Sequence, residues 1–187
     1  MVEEQGQIIL DTALVQPCST ARLELIPLSL PQLELCLSNL SALENQLGLG
    51  IVRAFFTERV QRAIQMKIQK MRAADVSQHA WFTYWLIVIR EEKAGAGMLG
   101  FKGYPNAAGS AEIGYGIAPA YQHKGYMTEA VQALIDWAFK HPFCNAVTAT
   151  EVENPASKRL LKKLGARLVH QSPKSTSWEI LKIQVSG

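Results

Sequence analysis

The stretch from Ala111 to Phe139 reads AEIGYGIAPAYQHKGYMTEAVQALIDWAF. It opens as an alternating strand, Ala111–Ile117, and closes as an amphipathic helix that begins near Lys124. That helix is predicted to bury Met127, Val131, Leu134, Ile135, Ala138 and Phe139, one apolar stripe. Between them lies a short turn, Gln122-His123-Lys124-Gly125-Tyr126-Met127. The first backbone N–H groups of a helix lack internal acceptors, and the helix dipole adds partial positive charge there. Gly125 lets the main chain approach a ligand closely, and Lys124 adds a full charge. Such a turn suits a phosphate group. The same residues also make an ordinary strand-to-helix turn that binds nothing.

Working outward, the pattern predicts a strand over Ala21–Leu28. Ser29 then caps a helix with Pro31 just inside its start, and Leu33, Cys36, Leu37 and Leu40 form its buried stripe. Asn45–Gly50 reads as a loop and 52–72 as a second helix. Trp81–Arg90 and Ala96–Tyr104 read as two strands joined by a turn at Glu91–Gly95. Downstream of the central stretch, Asn145–Glu151 reads as a strand and Pro155–Leu164 as a helix stopped by Gly165. Two short strands close the chain. The order predicts one mixed α/β domain over 1–187.

Gly95-Ala96-Gly97-Met98-Leu99-Gly100 matches G-x-G-x-x-G by letter. A dinucleotide fingerprint needs a strand before it and a helix opening within it. Here a charged turn precedes the glycines and FKGY follows, so the segment reads as part of a hairpin.

With 187 residues, 48% apolar and 19% charged, the chain is long and apolar enough for a complete core. Cys18, Cys36 and Cys144 are odd in number and lack metal-type spacing, which points to neither a disulfide framework nor a zinc site. MVEEQGQIIL at the start is acidic and does not read as a signal peptide. The longest apolar run, Ala80–Ile89, is too short to span a bilayer. A soluble, cytoplasmic protein without membrane partner is expected. A net charge of +3 is too small to argue for nucleic acid, although the basic segment Arg53–Arg72 leaves an RNA-binding role open. A second basic run, Lys158, Arg159, Lys162, Lys163 and Arg167, lies nearer the phosphate turn. Monomer and homodimer are both compatible with the sequence.

Four segments, TARLELIPLSL, EIGYGIAP, YQHKGYMTEA and ENPASKRLLKKLGARL, resemble the GNAT superfamily of acyl-CoA-dependent N-acetyltransferases. The likeness covers nearly the whole chain, and its closest branch is the one that acetylates N-terminal α-amines of ribosomal proteins. It implies a mostly antiparallel sheet of about seven strands, splayed between strands 4 and 5 and flanked by about four helices. The family's phosphate loop, Arg/Gln-x-x-Gly-x-Gly/Ala, is matched at Gln122 and Gly125, with Met127 in place of the small last residue. The resemblance further implies that acetyl-CoA is the co-substrate, with no metal. Its pyrophosphate would lie on the amides of Gln122, His123, Lys124, Gly125, Tyr126 and Met127, and its pantetheine arm along the strand ending at Ile117. The N–H near Ile117 would face the thioester oxygen. Asn154 matches an asparagine that reaches the pantetheine, and it fits equally well as the helix cap before Pro155.

The chemistry needs a neutral amine and a proton for the departing thiolate. Glu112 matches a strand position where some members keep a carboxylate base; it also reads as a plain exposed glutamate. Ser157 matches a serine that the ribosomal branch places near the sulfur; it also reads as a first-turn helix residue. The tyrosine that many members use as acid falls at Leu161, which leaves Ser157 or water to serve. An α-amine has a pKa near ~7.7–8 and a lysine amine near ~10.4, so neutralising the α-amine at pH 7 costs about 3 to 4 kcal/mol less. The expected acceptor is therefore a protein N-terminus, with a small polyamine or antibiotic-like amine, or a non-catalytic CoA sensor, as alternatives.

Overall fold

The computed structural model describes residues 16–151 and 154–183. The stretch Met1–Leu10, predicted not to be a signal peptide, lies outside them. In chain order the elements are β1 (Cys18–Ser19), β2 (Leu23–Pro27), α1 (Leu30–Ser38), α2 (Leu40–Leu47), β3 (Gly50–Ile51), α3 (Glu58–Ala73) and α4 (His79–Phe82). Then come β4 (Trp85–Ile89), β5 (Ala94–Phe101), β6 (Ser110–Ile117), α5 (Tyr126–Phe139), β7 (Ala146–Glu151), α6 (Pro155–Lys163), β8 (Arg167–Gln171) and β9 (Thr176–Leu181).

The strands run β1-β2-β4-β5-β6-β7-β9-β8, with β3 pairing β5 off that path. Among the path neighbours only β6 and β7 pair in parallel. This is the mixed α/β GNAT-like architecture expected from the resemblance. The seven anticipated strands are joined by two two-residue strands, β1 and β3, and the four anticipated helices by α2 and α4.

The added helices have local causes. Ser29 makes a full capping box with Gln32 and starts α1. Asn39 then takes a non-helical conformation, and its side chain accepts from Ala42 N, so a new helix starts where one continuous helix was expected. Residues 45–47, expected as loop, continue α2 until Gly48 ends it in the left-handed region at φ 67°. Upstream of α3, Arg53–Phe55 form a 3-10 turn, and Thr57, accepting from Val60 N, starts the helix. Trp81 lies in α4 rather than in a strand, and Trp85 donates its indole N–H back to the Ala80 carbonyl at 3.1 Å.

Two cores sandwich the sheet. On one face α5 and α6 cover Trp85, Phe101, Val147 and Trp178; on the other α1, α2 and α3 cover Leu86, Val88 and Met98. The six-residue segment Gly95–Gly100, with its three glycines, lies within β5. A Cβ at Gly97 would stand 2.4 Å from the Gly116 carbonyl oxygen, so close strand packing accounts for this glycine. The three cysteines are free thiols. Among the described residues no helix is long and apolar enough to cross a membrane.

Candidate active site

Strand β6 decides where the site lies. Its ladder with β7 has three rungs, Ser110↔Ala146, Ala111↔Val147 and Glu112↔Thr148, and then ends. On its other edge β6 stays paired with β5 through Ile117. The Glu112 carbonyl accepts from Lys102 N, and Ala118 N donates to the Ala96 carbonyl. Even-numbered residues of β6 thus address β5. By the alternation of an antiparallel ladder, the odd-numbered residues face β7, and beyond the last rung Tyr115 and Ile117 turn their N–H groups into the gap. An extended chain entering that gap would find strand-type donors already aligned.

At the gap's open end sits the turn before α5. Gly125 precedes the helix in the left-handed region, φ 81°, without a side-chain cap, and His123 also has positive φ, 62°. The helix therefore begins at Tyr126, two residues later than predicted, with its first amide groups free of side-chain capping. Gln122 Nε2 reaches the Ile117 carbonyl at 3.4 Å and ties the turn to β6.

The turn is braced from the start of β2. Glu129 Oε1 accepts from Thr20 Oγ1 at 2.6 Å and Arg22 N at 3.0 Å, while its Oε2 takes Arg22 Nε at 2.7 Å. Burial pushes the Glu129 carboxyl up, but these bonds and the Arg22 charge outweigh it and leave the pKa below its ordinary value. Arg22 also donates to the Lys124 carbonyl at 2.9 Å and lies 4.5 Å from the Tyr126 ring centroid.

A cleft of about 430 Å³ runs from this turn along β6 to α6. The structure gathers Ile117, Gln122, His123, Gly125, Tyr126, Met127, Asn154 and Ser157 on its wall. Arg159 and Lys163 of the second basic run join them. Lys124 is absent from the lining; its ammonium stands 5.3 Å from the Tyr121 ring centroid. Glu112 is absent as well, and its carboxylate pairs with Lys102 Nζ at 2.6 Å. Its face of β6 is the one where Gly116 meets Phe55, opposite the face of Tyr115.

Asn154 caps α6, its Oδ1 accepting from Ser157 N at 3.1 Å, while its own N–H donates to Glu151 Oε2 at 3.2 Å. The cap expected from the sequence is therefore present, in a residue that also lines the cleft. Ser157 is buried, and its Oγ lies 2.7 Å from the Tyr115 phenol oxygen. Sequence reasoning passed over Tyr115. Its alternation in EIGYGI placed it opposite Glu112, but nothing local indicated that its neighbour would be Ser157. Burial pushes the Tyr115 phenol up; the Ser157 hydrogen bond works against this and the Glu151 charge adds to it, so the phenol stays protonated.

The donors turned into the gap, the uncapped start of α5 and the cations of α6 fit an elongated, phosphate-bearing thioester. Among the described residues no cluster of His, Cys, Asp or Glu could hold a metal ion.

Fold and cleft together define an acyltransferase architecture of the GNAT type. The family model for the acetyltransferase (GNAT) domain matches residues 50–167, and the chain belongs to that family. The uncharacterized N-acetyltransferase YjdG of Bacillus subtilis (strain 168) is 37% identical over 98 residues, 52% of this chain and 58% of that protein. The match spans about half the length of such curated relatives. Among solved structures, RimL, a ribosomal L7/L12 α-N-protein acetyltransferase in complex with coenzyme A, superposes with a TM-score of 0.62 at 16% identity, over 89% of this chain and 98% of that one. The ribosomal-protein-S5-alanine acetyltransferase of Vibrio fischeri gives a TM-score of 0.59 at 17% identity, over 92% of this chain and all of that one. At such identities these two structures speak to the fold.

Proposed function

We propose that the chain is an acetyl-CoA-dependent N-acetyltransferase whose acceptor is the α-amine of a protein N-terminus. The observation that carries the reading is the gap between β6 and β7, bounded by the uncapped start of α5 at one end and by Ser157 at the other. In this reading the pyrophosphate of acetyl-CoA rests on the amides of residues 122–127, with Arg159 and Lys163 supplying charge. Charge-assisted hydrogen bonds contribute roughly 1.5–3 kcal/mol each, so a few would dominate donor-substrate affinity. The amides of β6, ending at Ile117, hold the pantetheine arm and polarise the thioester carbonyl. Asn154 reaches the arm from the other side.

The amine arrives from the Glu112 face and attacks the thioester directly. Glu112, itself or through a water, takes the amine proton once its pairing with Lys102 loosens, and Ser157 protonates the sulfur. A lone carboxylate is better matched to an α-amine than to a lysine side chain, because the α-amine is nearer neutrality at the outset. The RimL and S5-alanine enzymes, acting on ribosomal proteins, lend the acceptor class support at the level of fold.

The test is label transfer from radioactive acetyl-CoA into a cell extract separated into protein and small-molecule fractions. Label in protein, released as N-terminally acetylated peptides, is expected. Label confined to small molecules would replace the acceptor, and acetyl-CoA binding without transfer to either fraction would reject catalysis.

A further inference from the structure

We propose that Tyr115 is a positioning residue of the same reaction: it orients the Ser157 hydroxyl and replenishes the proton that Ser157 gives to the departing sulfur. This rests on the reading above, and deepens it. The family's usual tyrosine position holds Leu161 here, which is buried in the core below α6. A phenol reaches the cleft nonetheless, from a different element. Tyr115 projects from β6, lines the cleft, and stands 2.7 Å from Ser157 Oγ.

The geometry makes this pair more than a packing contact. The backbone that carries Ser157 is held in place, its N–H donating to Asn154 Oδ1 and Asn154 N donating in turn to Glu151 Oε2, while the hydroxyl itself is held by Tyr115. Glu151 is a buried carboxylate at the end of β7, the strand that faces β6 across the gap. Tyr115, Ser157, Asn154 and Glu151 therefore link β6, α6 and β7 around one end of the cleft. A serine hydroxyl alone is a weak proton source, with one hydrogen to give. With a phenol donating to its oxygen, its own hydrogen is left to point into the cleft.

The step balances without a further reactant. The amine nitrogen forms a bond to the thioester carbonyl carbon, the carbon–sulfur bond breaks, and its electron pair goes to sulfur. Sulfur takes the Ser157 proton, Ser157 takes that of Tyr115, and the phenolate regains one from solvent. The proton lost by the amine matches the one gained by the thiol.

The experiment needs no acceptor. Free CoA and acetyl-CoA are titrated by calorimetry over a pH series that spans the ionisation of the CoA thiol, into wild type, Tyr115→Phe, Ser157→Ala and the double variant. The charged and ionisable groups near this end, His123, Arg159 and Lys163 on the cleft wall and Glu151 behind Asn154, are the same in every variant, so comparison between variants isolates the pair. A hydroxyl held to donate toward sulfur favours the bound thiolate, so wild type gains CoA affinity over acetyl-CoA as pH rises. Each single variant is expected to lose about tenfold of that gain, read as the ratio of CoA to acetyl-CoA affinity within the same variant. The double variant is expected to lose no more than either single one, as members of one chain of bonds do. Single variants that keep the wild-type gain, or losses that multiply in the double variant, would overturn the relay while leaving the acetyltransferase reading standing. Failure of the wild type to bind acetyl-CoA would overturn both.

Discussion

The phenol oxygen of Tyr115 and the hydroxyl oxygen of Ser157 lie 2.7 Å apart, although 42 positions separate them in the chain. Tyr115 belongs to the edge of β6 that loses its neighbour after Glu112, and Ser157 to the first turn of α6, beyond β7. The contact closes one end of the cleft whose other end is the start of α5.

That other end gives the first prediction. Gly125 has φ 81° and leads into the helix, so a side chain there is strained and a carboxylate would oppose the bound phosphates. Gly125→Asp is expected to weaken acetyl-CoA binding by at least about tenfold to a hundredfold, the loss of one or more charge-assisted bonds. Calorimetry with an unchanged dissociation constant would remove the phosphate assignment.

Bracing of the turn is separable from contact with the ligand. Arg22 holds the Lys124 carbonyl and the Glu129 carboxylate but does not line the cleft. Arg22→Ala is expected to weaken acetyl-CoA binding about two- to tenfold through a looser turn. An affinity equal to wild type would show that the turn holds its shape alone.

Acid should reveal the same brace. The Glu129 pKa lies below its ordinary value of 4.5 in the folded chain, so its contribution to stability is complete above that value. It is lost as pH falls through the lowered folded pKa. Denaturant melts at graded acidity should find Glu129→Gln less stable than wild type near neutrality, with the difference shrinking at low pH. A constant difference would contradict the linkage.

Lys67 carries the opposite signature. It is buried in α3, donates to the Phe101 carbonyl and sits 5.1 Å from the Tyr84 ring centroid. Burial, with repulsion from Lys70 and Lys102, lowers its pKa from 10.5 to about 7. Between those values the unfolded chain binds more protons than the folded one, so stability rises as pH climbs through that window. Lys67→Met should flatten that rise and be relatively more stable below pH 7, measured by urea melts across the range. A slope like that of wild type would place the titration elsewhere.

Close packing of β5 on β6 has a consequence at the site. A Cβ on Gly97 would meet the Gly116 carbonyl oxygen at 2.4 Å and Ile117 Cα at 2.8 Å. Gly97→Ala is expected to cost about 1–3 kcal/mol of stability by displacing β6. It should also depress turnover more than acetyl-CoA affinity, since the Ile117 amide would move. Full stability by thermal melting would mean that the two strands yield more readily than their contacts indicate.

Much of this protein was legible as sequence because its signals are local. Alternation marked β6, the apolar stripe marked α5, Ser29 with Pro31 marked the start of α1, and the glycine-bearing turn marked the end of the cleft. Where local signals competed, the reading slipped: Asn39, expected inside one continuous helix, ends α1 and starts α2, and the aromatic run at Trp81 divides between α4 and β4. Both outcomes depend on what those side chains pack against.

The sequence by itself determined the order of the seven longer strands and four longer helices, the family resemblance and the turn before α5, since propensity, capping and periodicity act within a few residues. Only the tertiary structure decided that Glu112 pairs with Lys102, that Lys124 turns toward Tyr121 and that Arg22 braces the turn. It alone brought Tyr115 to Ser157. Those relations depend on strand register, on the end of the β6–β7 ladder and on which face of β6 each residue takes. Hydrogen bonding between distant segments sets all three, and no window along the chain contains both partners.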